Sequence, residues 1–133
     1  MHNYTPNHHE PLVLVVDDDA SVRKALNRLL RAAGLNVKVF ASGSELLAFE
    51  RPLQPACLVL DLHLPDFNGF DLLRRILAAD PNLPVVVLTG ETSPGTSARA
   101  LEGGARAFMT KPFEESRLLE EIQRLLTPMI RLL

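Results

Sequence analysis

The sequence predicts an α/β fold: a parallel sheet of five strands covered by helices on both faces. Three observations carry that prediction. Short apolar runs rich in valine recur along the chain without polar alternation, as in Leu12 to Val16 and Pro84 to Leu88, which is the pattern of strands buried on both faces. Each run is followed by a stretch with apolar residues at three- and four-residue steps, the pattern of an amphipathic helix. The runs also stop abruptly at polar residues, at Asp17, Asp61, Thr89 and Lys111.

The first strand, LVLVV, ends at Asp17-Asp18-Asp19, with Asp19 expected to cap the helix that follows. Val22, Ala25, Leu26, Leu29, Leu30 and Ala33 form the apolar stripe of that helix, Arg23, Lys24, Asn27, Arg28 and Arg31 its polar side, and Gly34 its stop. Asn36 to Phe40 is the second strand. Ser42-Gly43-Ser44-Glu45 has capping-box spacing and opens a short helix through about Phe49, which Pro52 and Pro55 end.

The third strand, Ala56 to Leu60, terminates in Asp61. A loop with Pro65 and Gly69, in which Asp66 and Asn68 read as ordinary loop residues, leads to a helix holding Phe70, Leu72, Leu73, Ile76 and Leu77. Pro84 to Leu88 is the fourth strand, ending at Thr89-Gly90. A fourth helix over Thr96 to Glu102 stops at Gly103-Gly104, and Arg106 to Met109 is a short fifth strand before Lys111-Pro112. The last helix carries Leu118, Leu119, Ile122, Leu125 and Leu126, and Pro128 is expected to end it. Strands and helices alternate throughout, and parallel neighbours need such crossovers.

The whole chain bounds the answer. Its 133 residues suit one domain with one core. Apolar residues at 47% and charged residues at 23% describe a globular protein. A net charge of -2 and a pI near 6.1 give no electrostatic case for direct nucleic-acid or membrane binding. The single cysteine, Cys57, excludes an internal disulfide and a multi-cysteine metal site, and its apolar surroundings mark it as a core residue. Without a signal-peptide pattern or a membrane-length apolar stretch, the expected location is cytoplasmic. Residues 1–11, despite His2, His8 and His9, read as a disordered tail, 12–126 as the domain, and 127–133 as a C-terminal tail or linker stub.

In open parallel sheets the chemistry lies beyond the carboxyl ends of the strands. Those ends carry Asp17 and Asp18, Asp61, Thr89 and Lys111, which the fold would gather into one pocket. Grouped carboxylates stay ionised together only if a cation neutralises them. Magnesium fits, because it accepts one or two carboxylates and keeps room for phosphoryl oxygens.

The fragments LVLVVDDD, LVLDLHLPDFNGFDLL, VVLTG and GARAFMTKPF resemble, in order and spacing, the signature segments of response-regulator receiver domains, from Leu12 to about Leu126. The resemblance is to receivers of the chemotaxis and nitrogen-fixation-regulator kind. It implies the flavodoxin-like doubly wound sheet, order 2-1-3-4-5. It also makes Asp61 the phospho-acceptor, Asp18 the principal magnesium ligand with Asp17 supporting it through water, and His63 a ligand through its backbone carbonyl. Lys111 would pair with the acceptor and then with the phosphoryl group, and Lys111-Pro112 would be cis. Thr89 and Phe108 match the switch pair that remodels the surface of the fourth helix, fifth strand and fifth helix. Lacking a hydroxyl, Phe108 would be read sterically.

The implied partners are a sensor histidine kinase or phosphotransfer protein, an output domain in cis or a separate protein target, and a phosphorylation-dependent homodimer. The resemblance implies a switch that catalyses its own phosphorylation and dephosphorylation, more than a turnover enzyme. Two other readings remain at this stage. A pseudo-receiver would keep the fold as an interaction module without using phosphate. A phosphatase of the haloacid-dehalogenase type is suggested by the D-x-D-x-S spacing of Asp17, Asp19 and Ser21.

Overall fold

The computed structural model describes residues 10–51, 54–90 and 93–131. Strands and helices alternate: β1 (Leu12–Val16), α1 (Ala20–Ala32), β2 (Asn36–Phe40), α2 (Gly43–Ala48), β3 (Ala56–Leu60), α3 (Gly69–Ala79), β4 (Val85–Thr89), α4 (Thr96–Glu102), β5 (Ala107–Thr110) and α5 (Glu115–Arg131). The sheet is five-stranded, in the order β2-β1-β3-β4-β5, and every pairing is parallel. The chain reverses its winding between β1 and β3, so a crevice opens above their carboxyl ends.

The period of two along each strand divides the core into two layers. Leu12, Leu14, Val16, Leu58, Leu60, Val85 and Val87 pack with Leu46 of α2, Leu72, Leu73 and Ile76 of α3 and Ala100 of α4. Val13, Val15, Cys57, Val59, Val86 and Leu88 face Leu26 and Leu30 of α1 and Leu118, Ile122, Leu125 and Leu126 of α5. Each fully buried leucine stabilises the fold by about 1.5–3 kcal/mol. Cys57 is one of these core residues, and burial pushes its thiol up to about 12.

The helix signals hold with two amendments. Asp19 caps α1 by accepting from the Ser21 N–H at 2.9 Å, and Gly34, at φ 85°, turns the chain away after it. Ser42 caps α2 through the Glu45 N–H at 3.2 Å, but the Glu45 carboxylate reaches back to the Ala41 N–H at 3.3 Å, one residue beyond the Ser42 N–H of the expected box. Pro128 does not end the last helix: α5 continues through Arg131 with Pro128 inside it. A proline removes one helical bond yet has a helix-compatible φ, and Pro128 sits exposed near the helix end, where its ring is tolerated.

The N-terminal boundary also shifts. Glu10 belongs to the folded body, its carboxylate accepting from Asn36 Nδ2 at 2.8 Å and its carbonyl from Gln54 Nε2 at 2.7 Å. Residues 1–9 of the expected tail, with His2, His8 and His9, lie outside the described residues, as does Pro52. Among the described residues no helix is long and apolar enough to cross a membrane.

Candidate functional site

The strand register assembles the site. Val16 pairs with Leu60, so the residues that follow them, Asp17 and Asp61, emerge side by side. The ladder runs one step further, with Asp61 N–H donating to Val16 O at 3.0 Å and Asp17 N–H to Phe40 O at 3.1 Å. Both side chains are almost wholly buried, with Asp17 2% and Asp61 4% exposed. On the other flank Thr89 pairs with Thr110, Lys111 N–H donates to Thr89 O at 2.9 Å, and the Lys111-Pro112 bond is cis.

Lys111 reaches back across the crevice. Its Nζ lies 2.6 Å from Asp17 Oδ2 and 3.3 Å from Asp61 Oδ2. The tighter partner is therefore Asp17, where the family resemblance implied the acceptor Asp61. The remaining carboxylate oxygens take backbone donors: Asp17 Oδ1 accepts from Asp19 N–H at 2.9 Å, and Asp61 Oδ1 from His63 N–H at 3.1 Å. Burial raises the Asp17 carboxyl above its ordinary value, outweighing the Lys111 hydrogen bond that lowers it. For Lys111 burial works downward, and the hydrogen bond and charge of Asp17, with Asp61 behind them, carry it above its ordinary value.

Asp18 completes an acidic group, exposed where its two neighbours are buried. Ligand oxygens of Asp17, Asp18 and Asp61 all lie within 4.8 Å of one another. Among the described residues three carboxylates face the ammonium of Lys111, an excess of negative charge that suits a hard divalent cation bound by oxygen. The donor set fits magnesium on those grounds. His63 is exposed and gives its N–H to Asp61; its segment bridges antiparallel to Asn68.

Thr89 is fully buried and Phe108 half-buried, and Phe108 packs against the layer formed with α2, α3 and α4. Val87 pairs with Phe108, so Thr89, two residues further on, lies on the same face of the sheet as the ring. Asp19 and Ser21 are used differently. The Ser21 hydroxyl donates to Asp19 at 2.7 Å within the helix cap, which accounts for the D-x-D-x-S spacing without a second catalytic acid.

Three residues matter more here than their sequence signals suggested. Arg23, placed by the sequence on the polar side of α1, donates to the Asp17 carbonyl at 2.8 Å and so braces the turn beneath the acidic group. Asn68 caps α3, accepting from Phe70 and Asp71 N–H at 2.9 and 3.3 Å; its place just before an apolar-periodic stretch was a readable signal. Asp66 caps α2 from across the molecule, through the N–H groups of Gly43 and Ser44 at 3.1 and 2.8 Å and the Ser44 hydroxyl. No sequence spacing announces that contact.

The chain is similar to known proteins. The chain is 37% identical over 111 residues to nodulation protein W of Bradyrhizobium diazoefficiens, which covers 84% of this chain and 49% of the relative. It is 39% identical to the DNA-binding response regulator MtrA of Mycobacterium tuberculosis, over 84% of this chain and 48% of the relative. The chain thus spans about half the length of these two relatives. Its fold superposes on a CheY-like receiver domain from Methanospirillum hungatei with a TM-score of 0.82 at 29% identity, over 90% of this chain and 95% of that one. Residues 13–123, from the first buried strand through most of α5 and including every strand-end residue named above, match the response regulator receiver domain, and the chain belongs to that family.

Proposed function

We propose that the chain is a phosphorylation switch in which Asp61 accepts a phosphoryl group from the phosphohistidine of a sensor kinase or phosphotransfer partner. The observation that carries this reading is the buried Asp61 carboxylate at the crevice, with Lys111 Nζ at 3.3 Å and the acidic pair Asp17 and Asp18 beside it. An Asp61 oxygen forms the new bond to phosphorus, the bond from phosphorus to the donor imidazole nitrogen breaks, and the leaving imidazole keeps the electron pair. Water later attacks the phosphorus, releasing inorganic phosphate and restoring the carboxylate.

Magnesium would be held by Asp18, Asp17, Asp61 and the His63 carbonyl, and when bound it supplies positive charge against the phosphoryl oxygens. Lys111 is placed to follow the charge from the carboxylate to the phosphoryl group, and such preorganised charge is most of what this chemistry asks of a protein. The Thr89 hydroxyl then donates to a phosphoryl oxygen, and the Phe108 ring turns toward the space it leaves. That exchange biases the surface of α4, β5 and α5 between two states, by as much as the phosphoryl contacts differ between them. The DNA-binding role in the name of the mycobacterial relative supports transcription as the output, reached through an attached domain or a separate protein in the cytoplasm.

Incubation with acetyl phosphate and magnesium, followed by intact-mass measurement, tests this. The wild type gains one phosphoryl group, and Asp61→Asn or omission of magnesium abolishes the gain. Equal labelling of Asp61→Asn would refute the assignment, and a wild type that stays unlabelled with ample donor would make the chain an interaction module. Light scattering on the labelled protein reads out phosphorylation-dependent dimerisation.

A further inference from the structure

The loop that joins the proposed acceptor to α3, residues 62–68, folds back on itself. Its root is fixed by close packing: a Cβ at Gly69 would stand 2.4 Å from Leu62 Cα and 2.5 Å from Leu62 O, so only glycine admits this approach. His63 bonds to Asp61 and bridges to Asn68, and Asn68 caps α3. All of those contacts lie within the loop and the helix it enters. The tip is held by something else.

Asp66 at the tip accepts from the Gly43 and Ser44 N–H groups and from the Ser44 hydroxyl. The Ser44 hydroxyl bond holds the Asp66 carboxyl below its ordinary value, and the two amide bonds act in the same direction. The neighbouring Phe67 ring lies against Gly43, where an added Cβ would meet it at 2.5 Å, and the Arg75 guanidinium covers the ring at 5.3 Å from its centroid. Gly43 and Ser44 follow β2, whose last residue, Phe40, accepts the Asp17 N–H at 3.1 Å.

These contacts close a circuit around the crevice. It runs from Asp17 to Phe40, along the chain to Gly43 and Ser44, across to Asp66, down the loop to His63 and Asp61, and through Lys111 back to Asp17. We propose that Asp66 is a positioning residue: by clamping the loop tip to the start of α2, it fixes the backbone at His63 relative to Asp17 and Asp61 and so sets the affinity of the acidic group for a divalent cation. The proposal deepens the phospho-acceptor reading and rests on it. Residues that hold ligands in place without touching the metal typically change affinity by roughly 10–100-fold.

Asp66→Ala separates positioning from plain stability. Magnesium binding to the full chain is followed by calorimetry and by the amide resonances of Asp61 and His63, well below the melting range, with hydrogen exchange at Gly43 and Ser44 reporting the clamp itself. The expected result is rapid exchange at both amides, a displaced His63 resonance in the metal-free protein and a magnesium Kd raised roughly tenfold. Ser44→Ala removes only the hydroxyl bond and carries the same test if Asp66→Ala does not fold, with a loss of roughly threefold. A Kd for Asp66→Ala within about twofold of wild type, despite freely exchanging amides, overturns the proposal, as do Asp66→Ala amides that stay protected, or an unchanged Kd for Ser44→Ala where Asp66→Ala does not fold. A wild type that takes no magnesium overturns the phospho-acceptor reading together with this proposal, whereas a wild type that binds it as well as Asp66→Ala does overturns this proposal alone.

Discussion

Replacing Lys111 by methionine keeps most of the stem's volume and removes the one ammonium that, among the described residues, contacts the acidic group. At an effective dielectric of 20, a unit charge at 2.6 and at 3.3 Å interacts by about 6 and about 5 kcal/mol before solvation is counted. Desolvation of the buried carboxylates offsets most of that. The Lys111 side chain is also 21% exposed, so water screens part of the remainder. The net loss should be about 2 kcal/mol near neutral pH, below the 3–5 kcal/mol for breaking a fully buried pair. For a domain of this size the thermal midpoint falls by about 8 °C.

The pH and metal dependence distinguish this cause from lost packing. Asp17 titrates above its ordinary value of 3.8, so the folded state holds that proton more tightly than the unfolded chain does. Its neutralisation on acidification therefore favours the fold, and the Lys111→Met penalty shrinks as pH falls through the Asp17 titration. Lys111 is shifted in the same direction and limits the penalty at the alkaline end. Its folded value lies above the ordinary 10.5, so its contribution is fully present below 10.5 and is lost as pH rises through the folded value. Saturating magnesium should also narrow the gap, because a divalent cation supplies the missing charge. Calorimetric melts of both proteins at pH 7 and pH 4, with magnesium and with chelator, measure all of this. A gap indifferent to both pH and magnesium would refute the electrostatic account and leave only packing.

Two further outcomes follow from close contacts. Gly69→Ala forces the Leu62 backbone aside and should cost about 2 kcal/mol in urea unfolding, while weakening magnesium binding because Leu62 adjoins Asp61; an unchanged midpoint would show that the loop has slack. Cys57, with its thiol near 12, is about one part in ten thousand thiolate at pH 8, so a disulfide reagent should leave the folded protein alone and label it on unfolding; rapid labelling of the native state would place the thiol outside the core.

The legible parts of this molecule share a physical origin. β1, β3 and β4 are buried along their whole length, so their sequences are unbroken apolar runs, and the polar residues that end them are conspicuous. That contrast located Asp17, Asp61 and Thr89, whereas Lys111 follows β5, which is only partly buried, and was found from its place after the fifth strand. Asp66 was not legible, because an aspartate in a loop serves its own turn as readily as a helix that begins 23 residues earlier, and only the tertiary fold decides between them. Lys111 was found but its tighter partner was not, since the sequence ranks neither carboxylate and the strand geometry brings Asp17 nearer. Pro128 misled because a rule for helix interiors was applied near an exposed helix end.

The acidic residues also bear on how the sheet finds its register. A strand that alternates polar and apolar residues is held in place by the need to keep one face dry, but a strand apolar on both faces loses little apolar contact when it slides. Moving β3 by two residues relative to β1 would preserve the layer each side chain joins and would draw Asp61 from the crevice toward Leu14 and Val15, far from Lys111. A carboxylate buried without a partner costs several kcal/mol, more than a small mismatch of leucine and valine shapes. The observed pairing of Val16 with Leu60 is the one that leaves both aspartates at the lip of the sheet. The charges that would hold a cation there thus also mark where the strands must stop, so the chemistry and the fold constrain the same positions.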